Sequence, residues 1–169
     1  MLSAEDNRFL TQSDADTPMG KLIRRFWVPA ILSEELREPD GEPKKIRLLG
    51  EDLLAFRDTE GRIGVIDQYC PHRGANLSLG RNEECGIRCV YHGWKFDIHG
   101  QCVDMPTSYP DLNAKDGMRI KAYPAREFAD TEAARQRRLV QGVDAGRTAQ
   151  GHDPGRPQVL GVDLMLMAQ

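Results

Sequence analysis

Two short stretches of the chain carry residues that bind metals, Cys70-Pro71-His72-Arg73-Gly74 and Cys89-Val90-Tyr91-His92-Gly93-Trp94. Each sets a thiol beside an imidazole, each pair ends in glycine, and sixteen residues separate His72 from Cys89. Two thiolates and two imidazoles suit a structural zinc ion, but paired zinc ligands normally stand two to four residues apart. A single residue separates Cys70 from His72, which is awkward for two corners of one tetrahedron. A two-iron iron–sulfur centre has no such difficulty, because the Cys and His of one stretch serve different irons. A third reading, unrelated buried cysteines and surface histidines, leaves two ordered pairs with matching glycines unexplained. Gly74 and Gly93 permit close backbone approach, so main-chain N–H groups can point at sulfur. Cys85, Cys102, His99 and His152 take the plainer reading of small core or surface residues, a solvated turn and a tail position. Arg73 and Tyr91 either tune such a centre and shape its docking surface or simply pack the loops.

The elements that must position these stretches are short strands. From about residue 31 to 128 the sequence predicts strands at 45–49, 53–57, 62–69, 86–90, 94–98, 101–105 and 120–123. Asp58-Thr59-Glu60-Gly61 and His99-Gly100 are turn signals between them. Strands every 8–12 residues argue for an all-β sandwich, with both metal-binding stretches as loops converging at one end. Residues 1–30 read as a helical extension. Ser3 with Asp6 makes a capping box, and Thr17-Pro18 places an N-cap before a proline at the first helical position. Met19, Ile23, Phe26 and Trp27 share one helical face, a stripe that docks on a larger core, and Pro29 stops the helix.

At 169 residues, 40% hydrophobic and 29% charged, the chain is long enough to bury a core without disulfides. A formal charge of −3 leaves no basic footprint, which argues against nucleic acid and anionic membrane surfaces as partners. No apolar run approaches the roughly 18–20 residues of a membrane span, and the acidic start lacks a signal-peptide apolar stretch. A cytoplasmic setting is therefore expected, where cysteines point to metal ligation before disulfides. Residues 131–169 differ in kind. All 11 aromatic residues, all eight Ile and all six Lys lie in 1–130, which carries −4 against +1 for the tail. That composition favours an irregular segment, apart from a short helix at 131–141 and a strand-like run at 158–162. The expected domains are thus 1–30, 31–128 and an atypical 129–169.

The two motifs resemble those of Rieske iron–sulfur proteins, and specifically of Rieske non-haem iron oxygenases. Nearly every residue from 17 to about 128 is similar to the N-terminal domain of the phthalate-dioxygenase-like branch. The flanks that carry this are Thr17-Pro18-Met19-Gly20, Arg24-Arg25-Phe26-Trp27-Val28-Pro29-Ala30, Leu48-Leu49-Gly50-Glu51-Asp52-Leu53 and Cys89-Val90-Tyr91-His92-Gly93-Trp94-Lys95-Phe96-Asp97. The resemblance implies a Rieske [2Fe–2S] cluster with Cys70 and Cys89 on the inner iron and His72 and His92 on the outer one. It also implies one-electron transfer, fed by an NAD(P)H-dependent flavin and iron–sulfur reductase, toward a mononuclear Fe(II) in a neighbouring subunit of a trimer. The implied substrate class is an aromatic carboxylate or a related aromatic compound.

Other Rieske proteins, those of cytochrome bc complexes, brace the cluster with a disulfide; Ala75 and Tyr91 stand at the matching places here. They also carry a serine where this chain has Trp94. Fewer hydrogen bonds to sulfur imply a potential near the low end of the Rieske range, roughly −150 mV. A mononuclear site needs two histidines and a carboxylate. Only His99 and His152 remain for it, in unrelated contexts, so this chain has no catalytic residues of its own and binds no aromatic substrate. Similarity to the family stops near Phe128-Ala129-Asp130, which implies a change of reading frame there. Translating the encoding DNA in its other two frames checks it. A free-standing Rieske ferredoxin and a zinc module are the alternative readings.

Overall fold

The computed structural model describes residues 1–109, 114–127 and 164–167. Helix α1 (Ala4–Thr11) opens with the expected capping box: the Ser3 hydroxyl accepts from the Asp6 N–H at 3.0 Å, and the Asp6 carboxylate returns to Ser3. Helix α2 (Pro18–Ile23) starts on Thr17, whose side chain accepts from the Gly20 N–H. The helical extension is shorter than the sequence suggested. It ends at Ile23, and β1 (Trp27–Ile31) follows with Pro29 inside it. An edge strand tolerates a residue without an N–H, and β1 is the edge of its sheet. Of the predicted apolar stripe, Phe26 is 61% exposed. Arg24, only 9% exposed, holds the segment down instead, reaching Leu49 O at 2.7 Å, Ser13 O at 3.0 Å and Glu51 at 3.0 Å.

The strands form antiparallel sheets. One runs β2 (Lys44–Leu48), β3 (Glu51–Arg57), β4 (Ile63–Asp67) and β9 (Ala122–Tyr123). A second runs β5 (Arg81–Glu83), β6 (Gly86–Arg88), β7 (Lys95–Phe96) and β8 (Cys102–Asp104). In the third, β11 (Leu164–Met167) lies between β1 and β10 (Ala125–Glu127). Two hairpins have two-residue turns of left-handed backbone, Leu49-Gly50 (φ 50° and 83°) and Glu84-Cys85 (φ 48° and 62°). Such turns match the strand twist. The predicted strand positions hold with shifted bounds: β3 begins earlier, at Glu51, residue 69 leaves β4 to bridge Asn76, and Trp94 belongs to a loop rather than to β7.

Residues 53–56 are apolar and nearly solvent-free, because β3 is covered on both faces. Leu54, Phe56 and Ile66 face a core that includes Cys70, Leu77, Ile87, Cys89, Trp94 and Phe96. Leu53, Ala55 and Val65 face a second core with Leu36 and Tyr123. The alternation of strand side chains thus makes β3 and β4 a middle layer, and the two Cys/His stretches belong to the core on one side of it. The predicted helix at 131–141 and strand at 158–162 lie outside the described residues, as does His152. Part of the tail expected to be irregular, Leu164–Met167, forms β11.

Candidate metal centre

The two stretches fold as matching loops. Cys70 N–H donates to Ala75 O at 2.9 Å and Gly74 N–H to Cys70 O at 2.8 Å. Cys89 N–H donates to Trp94 O at 2.8 Å and Gly93 N–H to Cys89 O at 3.0 Å. Both closures require a left-handed residue four places after the cysteine, supplied by Gly74 (φ 65°) and Gly93 (φ 76°). The first loop leaves β4 and enters a 3₁₀ turn (Leu77–Leu79); the second joins β6 to β7.

Cys70 and Cys89 are each 3% exposed and unpaired by any disulfide. Burial, together with the neighbouring Cys89, pushes the Cys70 thiol up to about 11 against the pull of the His72 and Arg73 N–H groups directed at it. The imidazoles of His72 and His92 meet edge-on, with centroids 4.4 Å apart. Burial, then the facing His72 and Arg73, push His92 below the ordinary histidine value. The indole of Trp94 lies flat on His72 at 4.4 Å and 5°, and Tyr91 leans on His92 at 3.9 Å and 38°.

Nδ1 of His72 is buried without a hydrogen-bond partner. A buried polar atom left so costs about 1–3 kcal/mol, and an unpartnered imidazole nitrogen next to a second imidazole is what a metal centre would take up. Among the described residues no three His, Cys, Asp or Glu side chains gather as around one ion. The thiol of Cys70 neighbours that of Cys89 in the core, and the imidazoles of His72 and His92 form a second pair.

A family profile of the Rieske [2Fe-2S] domain matches residues 26–124. The chain belongs to that family. Its cofactor is therefore a Rieske-type [2Fe–2S] cluster, and the four donors fit it. The phthalate 4,5-dioxygenase oxygenase subunit of Pseudomonas putida is 49% identical over 128 residues, 76% of this chain and 29% of that protein. The 3-chlorobenzoate-3,4-dioxygenase oxygenase subunit of Comamonas testosteroni is 50% identical over 129 residues, 76% and 30%. Among solved structures, dicamba monooxygenase with non-heme iron and dicamba superposes with TM-score 0.53 at 32% identity, covering 61% of this chain and 30% of that one. This Rieske chain thus spans about 30% of the length of the curated relatives it matches.

The Rieske loops rest on polar groups that sequence reading did not single out. Arg88, beside Cys89, donates to Gly93 O at 2.9 Å while pairing with Glu83 at 2.5 Å and Asp104 at 2.7 Å. One guanidinium so ties the second loop to β5 and β8. Lys95, 7% exposed, reaches Glu84 at 2.9 Å. A cation immediately before a candidate ligand, Cys89, was the available signal. Arg73 is exposed, Cys102 lies in the core with its Sγ 3.3 Å from Asp104 O, Cys85 sits at a hairpin tip and His99 is exposed in its turn. Of the remaining cysteines and histidines, none that is described joins the centre.

Proposed function

We propose that Cys70, His72, Cys89 and His92 hold the Rieske cluster, the thiolates on the inner iron and the imidazoles on the outer one. The chain then relays single electrons as the Rieske part of an aromatic-ring-hydroxylating oxygenase component. The observation that carries the assignment is the buried, unpartnered His72 Nδ1 beside His92, in a loop whose cysteine, like that of the second loop, is buried. When bound, such a cluster supplies reversible one-electron transfer. The protein's part is to keep the thiols dry, orient the imidazoles and present their outer edges. His72 and His92 are both partly exposed, which leaves a short path from the centre to a docked partner.

An NAD(P)H-dependent flavin and iron–sulfur reductase, or a ferredoxin, suits the donor role. A solved complex of oxygenase and ferredoxin from carbazole 1,9a-dioxygenase, 33% identical and with TM-score 0.52, supports the latter kind of partner. The acceptor is a mononuclear Fe(II) in the larger part of such oxygenases, and an aromatic carboxylate substrate follows from the names of the phthalate and 3-chlorobenzoate relatives. Anaerobic purification tests the reading. The expected protein is coloured, contains two irons per chain, shows nitrogen couplings from two imidazoles in the reduced-state EPR spectrum, and has a midpoint near −150 mV. A colourless protein with one zinc overturns it.

A further inference from the structure

The four cysteines are free, so no covalent link joins the two loops. One side-chain contact crosses between them as a stack: Trp94, from the second loop, lies on His72, from the first, at 4.4 Å and 5°. Trp94 is 8% exposed, its carbonyl closes its own loop by accepting from Cys89 N–H, and its indole N–H donates to Thr107 Oγ1 at 2.9 Å. The ring is therefore held at its backbone and at its far edge. His92 has no equivalent. Its aromatic neighbour Tyr91 belongs to the same loop, is tilted by 38° and is 59% exposed.

We propose that Trp94, anchored by Thr107, is a positioning residue for His72. It fixes the plane of that imidazole, shields one face from water and braces the first loop on the second, while His92 keeps freedom of movement. This rests on His72 being a cluster ligand. An imidazole side chain can tilt about its Cβ–Cγ bond; a flat, buried partner opposes that tilt. Stacked rings gain beyond their buried area, and the hydrogen bond to Thr107 adds direction that area lacks.

Three variants test it: Trp94→Leu removes the stack, Trp94→Phe keeps a flat ring without the N–H, and Thr107→Val removes the acceptor at nearly constant size. In the metal-free chain, ring-current shifts of the His72 ring protons in NMR spectra report the stack directly. In the loaded chain, pulsed EPR reads the nitrogen couplings of each histidine. Trp94→Leu should abolish the upfield shift of His72, alter one of the two nitrogen couplings and leave the other. It should also raise the midpoint potential, since water at the opened face stabilises the more negative reduced state, and speed cluster loss several-fold. Thr107→Val should move the same readouts in the same sense by less, and Trp94→Phe should retain most of the shift. Should Trp94→Leu fail to fold or load, Thr107→Val alone decides. Unchanged couplings and potential in every variant that loads overturn the positioning role. A wild-type chain that holds no iron–sulfur cluster overturns the ligand assignment and this inference with it, even if the NMR stack is present.

Discussion

Cys70 and Cys89 lie in the core at 3% exposure, whereas His72 and His92 reach its edge, and this gradient sets what each substitution should do. On the proposed assignment, replacing His92 by Cys would put a negative thiolate on the outer iron in place of a neutral imidazole. The reduced state then gains unfavourable charge, and the midpoint should fall; potentiometric titration of the loaded protein checks this, and an unchanged potential removes His92 from the site. A different residue governs acid stability. Glu51 accepts from Arg24 and Tyr123 at 3.0 and 2.5 Å, and from Lys121. Burial pushes its carboxyl up, but the hydrogen bonds from Lys121, Tyr123 and Arg24 outweigh that and hold it below the ordinary value. A carboxylate depressed in the fold stabilises above its unfolded pKa and loses that contribution as pH falls through its folded pKa. Glu51→Gln should therefore cost about 1–3 kcal/mol at neutral pH and flatten the acid limb of a stability curve. Equal acid sensitivity in both proteins would exclude Glu51 as the hub.

The elements differ in how much substitution they tolerate. Gly74 and Gly93 close equivalent loops with φ of 65° and 76°, so alanine at either forces a left-handed backbone at roughly 1–2 kcal/mol. Their surroundings are unequal. A Cβ at position 74 meets nothing within 4 Å, while one at 93 comes to 3.2 Å from Pro106 Cγ. Gly93→Ala should lower bound iron after reconstitution more than Gly74→Ala does, as measured by iron and sulfide analysis. At the opposite side, β11 lies between β1 and β10 with Val28 opposite Leu166 and Ala125 opposite Leu166. Removing residues 164–169 strips the middle strand from that sheet and leaves two unpaired edges. The melting temperature should fall by about 5 °C or more, with the cluster spectrum intact, because the centre sits on the other side of the β3–β4 layer.

At the scale of the molecule, that layer separates two cores and assigns them different work. Leu54, Phe56 and Ile66 carry the centre on one face; Leu53, Ala55 and Val65 meet Tyr123 on the other. Tyr123 then reaches Glu51, and Glu51 reaches Arg24, so the N-terminal extension is clipped to the sheet. Among the described residues no helix is long and apolar enough to cross a membrane. Matching about 30% of its relatives' length, the chain should take up and release electrons in stopped-flow mixing with dithionite and a chemical oxidant. Failure to be reduced by dithionite would contradict the electron-relaying reading.

The two Cys/His loops, both loop glycines and most strands were legible in the sequence, because residue type, spacing and turn chemistry are local properties. So were the Ser3 and Thr17 caps, where one side chain answers one backbone group three residues on. Tertiary structure alone decided the rest. The helix reading through Phe26 and Trp27 failed because β11, distant in sequence, offers β1 a pairing partner that a local period does not reveal. Trp94 read as the start of a strand, yet it closes a loop and stacks on a histidine of another loop, 22 residues earlier. Arg88, Thr107 and Glu51 likewise act through partners far along the chain. Chemistry was written in short words of sequence; its positioning came from contacts between segments that only folding brings together.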